Sequence, residues 1–336
     1  GRTTRTRMEV DTGASIDRSI LRIAIPSVLA SISVPLIGLA DTAMVGHLTE
    51  VAFLGAVATA SVLFDVLFWG TGFLRMGTTS IVAYHHGAGD DASCAEALYR
   101  SLLTALVLAA LIVLARDSLA WLGFELAGGS DEVRRWGERY FQIRVLGAPF
   151  VLCTLVLTGF CLGRADVLTP MSITMVTNVV NIAGDYALIY GKWGAPGLGV
   201  EGAAWAAVAA NGVGMGLGVT VLAIRYRSRL GVRLSSLFDV AKAGHLARTN
   251  AALAARTLCL LFAQFSMMGM VARMGEVPLA AHAIIWQIWS LVSFAVDGFA
   301  PRDGAASTPF TIGYLGRVAP EKGVHLLCDA YRRLRG

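Results

Sequence analysis

The chain has 336 residues, 55% of them hydrophobic and only 15% charged, with a formal net charge of +5 and a mean hydropathy of +0.63. Soluble domains average about 25% charged residues, whereas here apolar runs of roughly 20 residues, each long enough to cross a bilayer core, recur along the chain. That excludes an ordinary soluble protein, and because the basic residues sit in loops they read as membrane orientation rather than as a nucleic-acid surface.

Residues 1–19, "GRTTRTRMEVDTGASIDRS", are polar and form an N-terminal segment without a cleavable signal peptide; Met8 is a candidate start. Eight apolar spans are expected over 20–45, 53–83, 97–115, 138–163, 169–190, 200–224, 250–273 and 279–300. The class is therefore an all-α polytopic membrane protein. Pro26 and Pro35 fall in the first span, and each removes a backbone hydrogen bond, so a bend is expected before Asp41. In the second span Arg75 snorkels and Asp65 stands mid-span, an unusual place for a charge. His85 and His86 follow as an interfacial pair.

The link 116–137 has room for a short interfacial helix, and Tyr140 opens the fourth span, within reach of a cavity. The fifth span carries "TNVVNIAGDYALIY", in which Asn178, Asn181 and Asp185 share one face at helical spacing. Small residues at 202–204 and glycines at 212, 214, 216 and 218 give the sixth span a face for close helix packing. A basic cytoplasmic loop, 225–249, precedes the last two spans. Five cysteines show no CxxC or metal-type spacing, and Cys153 and Cys161 lie roughly 12 Å apart along one helix, too far for a disulfide. All five read as reduced and structural.

A shift of 226 residues lays "MVGHLTEVAFLGAVATASVLFDVLFWGTGF" over "MVARMGEVPLAAHAIIWQIWSLVSFAVDGF", matching Met44, Val45, Glu50, Val51, Val66, Phe68, Gly72 and Phe73 without a gap. Such internal repeats are a habit of secondary transporters. Residues 20–224 then make a first six-span lobe, and residues 250–300 the first two spans of a second, shortened one. Arginine and lysine favour a cytoplasmic N-terminus, with Arg116, Arg134, Arg135 and Arg139 as a counter-signal.

A charge at the centre of a membrane helix costs about 2.5–3.5 kcal/mol on insertion scales, so Asp41 and Asp185 need a reason. Capping or pairing would account for Asp41, and amide packing accounts for Asn178 better than for Asp185. Two amides and a carboxylate supply hard oxygen ligands suited to a proton or sodium and not to zinc. Desolvation favours the neutral carboxyl and a bound cation favours the carboxylate, which is a physical basis for coupling ion release to a second substrate.

The motifs "IPSVLASISVPLIGLADTAMVGHL", "GFLRMGTTSIVA", "YFQIRVLGAPF", "GRADVLTPM", "NVVNIAGDYALIYG" and "GVEGAAWA" resemble the multidrug and toxic compound extrusion (MATE) family, DNA-damage-inducible F type, over residues 18 to about 300. The resemblance implies a multi-pass protein of the cell (inner or plasma) membrane, a cation-coupled antiporter that expels small organic, often cationic, compounds against H+ or Na+. It implies no cofactor beyond the coupling ion, no enzymatic activity and no nucleic-acid partner. It places a proton- or cation-coupling site at Asp41, Asn181 and Asp185, where Na+ would also bind, with Tyr140 and Asn178 lining the same cavity and Pro26 and Pro35 bending the first helix. Tyr84 and Asp65 depart from the pattern, standing where glutamine and asparagine are common.

After about residue 301 the chain reads as water-soluble. "IGYLGRVAPEKGVHLLCDAYRRL" resembles a fragment of a family-4 (GT-B) glycosyltransferase, a short β-loop-α unit in which Arg317 and Lys322 are a phosphate-binding remnant. An isolated strand and helix cannot bury a core, so residues 301–336 are expected to be non-catalytic. The expectation is a truncated or chimeric chain that does not transport by itself. The alternatives are a lipid-linked oligosaccharide flippase of the same superfamily and a membrane-tethered glycosyltransferase.

Overall fold

The computed structural model describes residues 44–47, 51–127, 130–227 and 240–272, together with 274 and 285. All of them fall in the first of two units into which the chain divides, Gly1–Pro301 and Arg302–Gly336. Most of the first and eighth expected spans and the whole of the β-loop-α tail lie outside the described residues.

Among the described residues the chain is helical, without strands. The helices are α1, Val51–Gly70; α2, Phe73–Gly87; α3, Asp91–Leu114; α4, Arg116–Ala127; α5, Asp131–Val145; α6, Ala148–Gly163; α7, Leu168–Tyr190; α8, Val200–Arg225; and α9, Val240–Ala272. Three are long and apolar enough to cross a membrane (α1 and α2 counted together as Phe53–Gly87), or four with the bent pair α5 and α6.

Local chemistry sets the breaks. The second expected span is interrupted at Thr71–Gly72, where the Thr71 hydroxyl donates to the Phe68 carbonyl at 2.8 Å. The fourth begins earlier than expected, at Asp131, and turns by 50° between α5 and α6. Gly147 precedes α6, and Pro149 sits in its first turn, where a missing N–H costs nothing. Side chains cap two starts: Asp90 accepts from the Ser93 N–H at 2.9 Å ahead of α3, and Ser130 from Val133 at 3.4 Å ahead of α5. Helix α7 stops at Gly191, whose left-handed backbone (φ 66°) sits close against Gly197. Two expectations change here. The short helix in 116–137 is present as α4, and the basic loop shortens, because residues 240–249 already belong to α9.

The packing suits a lipid solvent. Helix α3 exposes Leu103, Leu106, Val107, Leu111 and Leu114 along one side, a pattern that would be costly in water and is ordinary against acyl chains. Inside, close approach replaces bulk. A Cβ on Gly159 or Gly163 of α6 would lie 2.6 Å from the Arg75 carbonyl and 2.8 Å from that of Thr79, so α2 lies directly against α6. Between α1, α4 and α5 the filling is aromatic, with Phe64, Phe124, Tyr140 and Phe141 all buried. Cys94, Cys153 and Cys161 are buried free thiols and Cys259 an exposed one.

Candidate functional site

Helix α7 packs along α8 more extensively than any other pair of described helices, and small residues are the reason. A Cβ on Gly202 would lie 2.5 Å from the Leu188 carbonyl, and one on Gly218 would meet Leu157 and Ile173 at 3.0 and 3.1 Å. On the α7 side, a Cβ on Gly184 would stand 3.0 Å from that of Ala206. Gly214 gives room to the Thr177 side chain. Of the expected small face, 202, 214 and 218 make this seam; Gly212 faces Phe150 at ordinary distance and Gly216 meets open space.

The polar stripe of α7 enters the packed interior at the level of Gly184. Asn181 is 8% exposed and Asp185 is fully buried. The Asn181 amide Nδ2 donates to Asp185 Oδ2 at 3.1 Å, one helical turn away. Asn178, a turn earlier, is half-buried. A carboxylate and an amide thus share one desolvated spot. Among the described residues no group of three or more His, Cys, Asp or Glu side chains is arranged to hold a metal.

Toward the end of α7, the Tyr190 hydroxyl donates to the Met44 carbonyl at 2.8 Å. That bond ties the last residues of the first expected span to the same helix that carries Asn181 and Asp185. Met44 stands three residues after Asp41. Asp41 itself lies outside the described residues, as do Pro26, Pro35, Arg317 and Lys322. Tyr140 is on α5, 1% exposed, in the aromatic core. Its hydroxyl accepts a 2.8 Å hydrogen bond from Arg144, and its ring meets Phe64 edge-on at 6.4 Å.

A second polar cluster was not anticipated. Asp166, before α7, is 8% exposed. Its Oδ2 accepts from the Thr169 hydroxyl at 2.7 Å, Arg225 at 2.8 Å and the Tyr226 hydroxyl at 3.0 Å. Its Oδ1 accepts from the Thr169 N–H at 3.2 Å. Burial and the Asp166 carboxylate together push the Tyr226 phenol up to about 12. Next to it, Arg164 pairs with Asp91 at 2.7 Å and lies over the rings of Phe160 and Tyr226, 5.7 and 5.1 Å from their centroids. The cluster joins the end of α6, the starts of α7 and α3 and the end of α8. Its sequence signal was "GRADVLTP", an aspartate three residues before a threonine at a helix start, but its other partners are 59 and 60 residues away.

Residues 26–187 match the MatE family. The chain is 34% identical over 291 residues to DNA damage-inducible protein F of Escherichia coli (strain K12), covering 85% of this chain and 62% of that protein. It is 31% identical over 206 residues to the probable multidrug resistance protein NorM of Thermotoga maritima, covering 60% of this chain and 43% of that one. In structure it resembles a MOP superfamily transporter from Pyrococcus furiosus, with a TM-score of 0.73 at 24% identity, over 84% of this chain and 62% of the other. That similarity shows a shared fold. The chain spans about three fifths or less of the length of these relatives.

Proposed function

Because the chain belongs to the MATE family, we propose that it serves cation-coupled efflux of small organic, often cationic, compounds, with Asp41, Asn181 and Asp185 as the site of the coupling ion. The observation that carries this is the Asn181–Asp185 hydrogen bond at 3.1 Å around a fully buried carboxylate. An ionisable group inside a membrane bundle is costly and is normally retained for a pathway. Here the neutral amide leaves the carboxylate able to exchange between a proton and a cation. The Tyr190–Met44 bond supports Asp41 as the third member, since it brings the segment just after Asp41 to α7.

In this reading the coupling ion, H+ or Na+, is cargo rather than a resident cofactor, and Asn178 lines the approach to it. Bending of the first span at Pro26 and Pro35 moves Asp41 toward or away from Asp185 as the ion binds. The N-terminus is cytoplasmic, the protein is multi-pass in the cell membrane, and the Asp166 cluster lies at the inner end of the first lobe. The chain is a transporter and not an enzyme, with Arg317 and Lys322 a remnant that performs no sugar transfer.

The test is rhodamine 6G binding to the purified chain in lipid nanodiscs, by fluorescence anisotropy, across pH 5–8 with and without Na+. Binding should weaken as protons or Na+ occupy the site, and Asp185→Asn should remove that dependence. Binding that ignores both ions in the unaltered chain overturns the coupling. The same variants of the chain, expressed in bacteria lacking their own efflux pumps, test whether dye accumulation follows.

A further inference from the structure

Helix α9 carries the seventh expected span and packs on α2 and, less extensively, on α1. Its contact with α2 is narrow. Asn250 is buried, Leu253, Ala254 and Thr257 follow half-buried along the same side, and residues 251, 252, 255 and 256 are exposed. Gly77 of α2 stands opposite. A Cβ there would fall on Asn250 Oδ1 and lie 3.7 Å from Leu253 Cδ1, so the amide oxygen rests directly on the glycine backbone.

That oxygen is in an unusual position. Asn250 is 6% exposed, and its Oδ1 has no hydrogen-bond partner among the described residues. Contact with a glycine Cα–H is a weak substitute for a donor. Thr78, next along α2, is buried too, but its hydroxyl already donates to the Leu74 carbonyl at 2.7 Å. A buried acceptor left without a donor costs more than a typical hydrogen bond gains. Small apolar residues would pack α9 on α2 without that cost.

The level of the contact matters as well. On α6, a Cβ on Gly159 would meet the Arg75 carbonyl and one on Gly163 the Thr79 carbonyl. Gly77 therefore stands between these levels, about one helical turn from Arg164 and the Asp166 cluster. At that end the first lobe is tied by ion pairs, whereas α9 meets it through an amide oxygen that lacks a donor.

We propose that the Gly77–Asn250 contact is a parting line between α9 and the first lobe, and that Asn250 is a positioning residue that keeps it ready to open. When the two helices separate, water supplies the missing donor, so the closed contact is biased toward the open, hydrated one. The proposal deepens the transporter reading above, in which a path for organic compounds opens beside the first lobe. Its test needs neither dye nor ion, so its failure and the failure of that reading are distinguishable.

The experiment measures how fast a membrane-impermeant maleimide labels Leu253→Cys in lipid nanodiscs, in a chain that also carries Cys259→Ser and Cys328→Ser. Gly77→Ala puts carbon on the amide oxygen and should speed labelling by roughly fivefold or more. Gly77→Ala combined with Asn250→Ala puts a methyl where the oxygen was, and should slow labelling by roughly fivefold or more against the parent. Asn250→Ala alone adds no contact and should label at or below the parent rate, and it decides the matter if Gly77→Ala does not fold. An asparagine that merely holds the helices together predicts faster labelling and a lower Tm in both variants that lack it, and that result overturns the proposal. So does a Gly77→Ala chain that labels at the parent rate, or a parent in which the introduced thiol stays unlabelled until the chain unfolds.

Discussion

At one end of α7, Asp166 takes hydrogen bonds from Thr169, Tyr226 and the Arg225 guanidinium. Further along the same helix, Asp185 is fully buried, and the Asn181 amide is among its partners. Both are carboxylates out of water, yet their surroundings ask different things of them. A donor set that includes a guanidinium pairs with the carboxylate and ties the helix ends together. The amide of Asn181, by contrast, is a neutral donor. One helix therefore joins both carboxylates, and the seam with α8 runs past the two.

That contrast can be broken by exchanging the two aspartates for neutral residues. Asp185→Asn should abolish ion-dependent dye binding while leaving the unfolding temperature near that of the parent, because an amide can replace the carboxylate in the bond to Asn181. Asp166→Ala should do the opposite, lowering stability by about 2–3 kcal/mol through donors left without an acceptor, with ion dependence retained. Thermal unfolding measured beside dye anisotropy reads both, and a Tm loss in Asp185→Asn equal to that in Asp166→Ala would erase the distinction.

The seam between the two regions is tested next. Gly202→Val places carbon where the Leu188 carbonyl stands, and overpacking of that kind costs about 1–3 kcal/mol. Gly216→Ala, which meets open space on the same helix, should leave Tm unchanged or slightly raised. Equal effects at the two positions would mean that the α7–α8 contact is not what the small residues serve.

A smaller change is expected from Tyr190→Phe, which removes the bond to the Met44 carbonyl, at about 1 kcal/mol. The last effect lies outside the ordinary pH range. The Tyr226 phenol is raised from 10.0 to about 12 by burial and Asp166, so the folded chain holds that proton more tightly than the unfolded one. Its contribution is fully present below pH 10 and is lost as pH rises toward 12. Unfolding followed from pH 9 to 12 should show this decline in the parent and not in Tyr226→Phe.

Much of the candidate site was legible beforehand because it is local. Asn178, Asn181 and Asp185 share a helix face by spacing alone, and an amide and a carboxylate four residues apart can meet on any helix. The small residues of the sixth span announced close packing, although of its glycines 212 and 216 make no tight contact. The Asp166 cluster and the setting of Arg144, whose guanidinium lies over the Phe64 ring, were not legible. Apart from Tyr140 and Thr169, their partners come from α1, α3 and α8, far apart along the chain, and an arginine in "YFQIRVLGAPF" looks the same whether it faces lipid, water or an aromatic ring.

Composition and periodicity by themselves determined that this is a helical membrane protein and which polar residues stand out against an apolar background. These are properties of short segments, set by the cost of placing polar groups in hydrocarbon. Only the tertiary structure decided which charges are neutralised and which glycines touch another helix. It also decided that the fourth span bends by 50° beside Arg144. Such outcomes depend on approach distances between distant helices, where an ångström separates a hydrogen bond from an unmet charge.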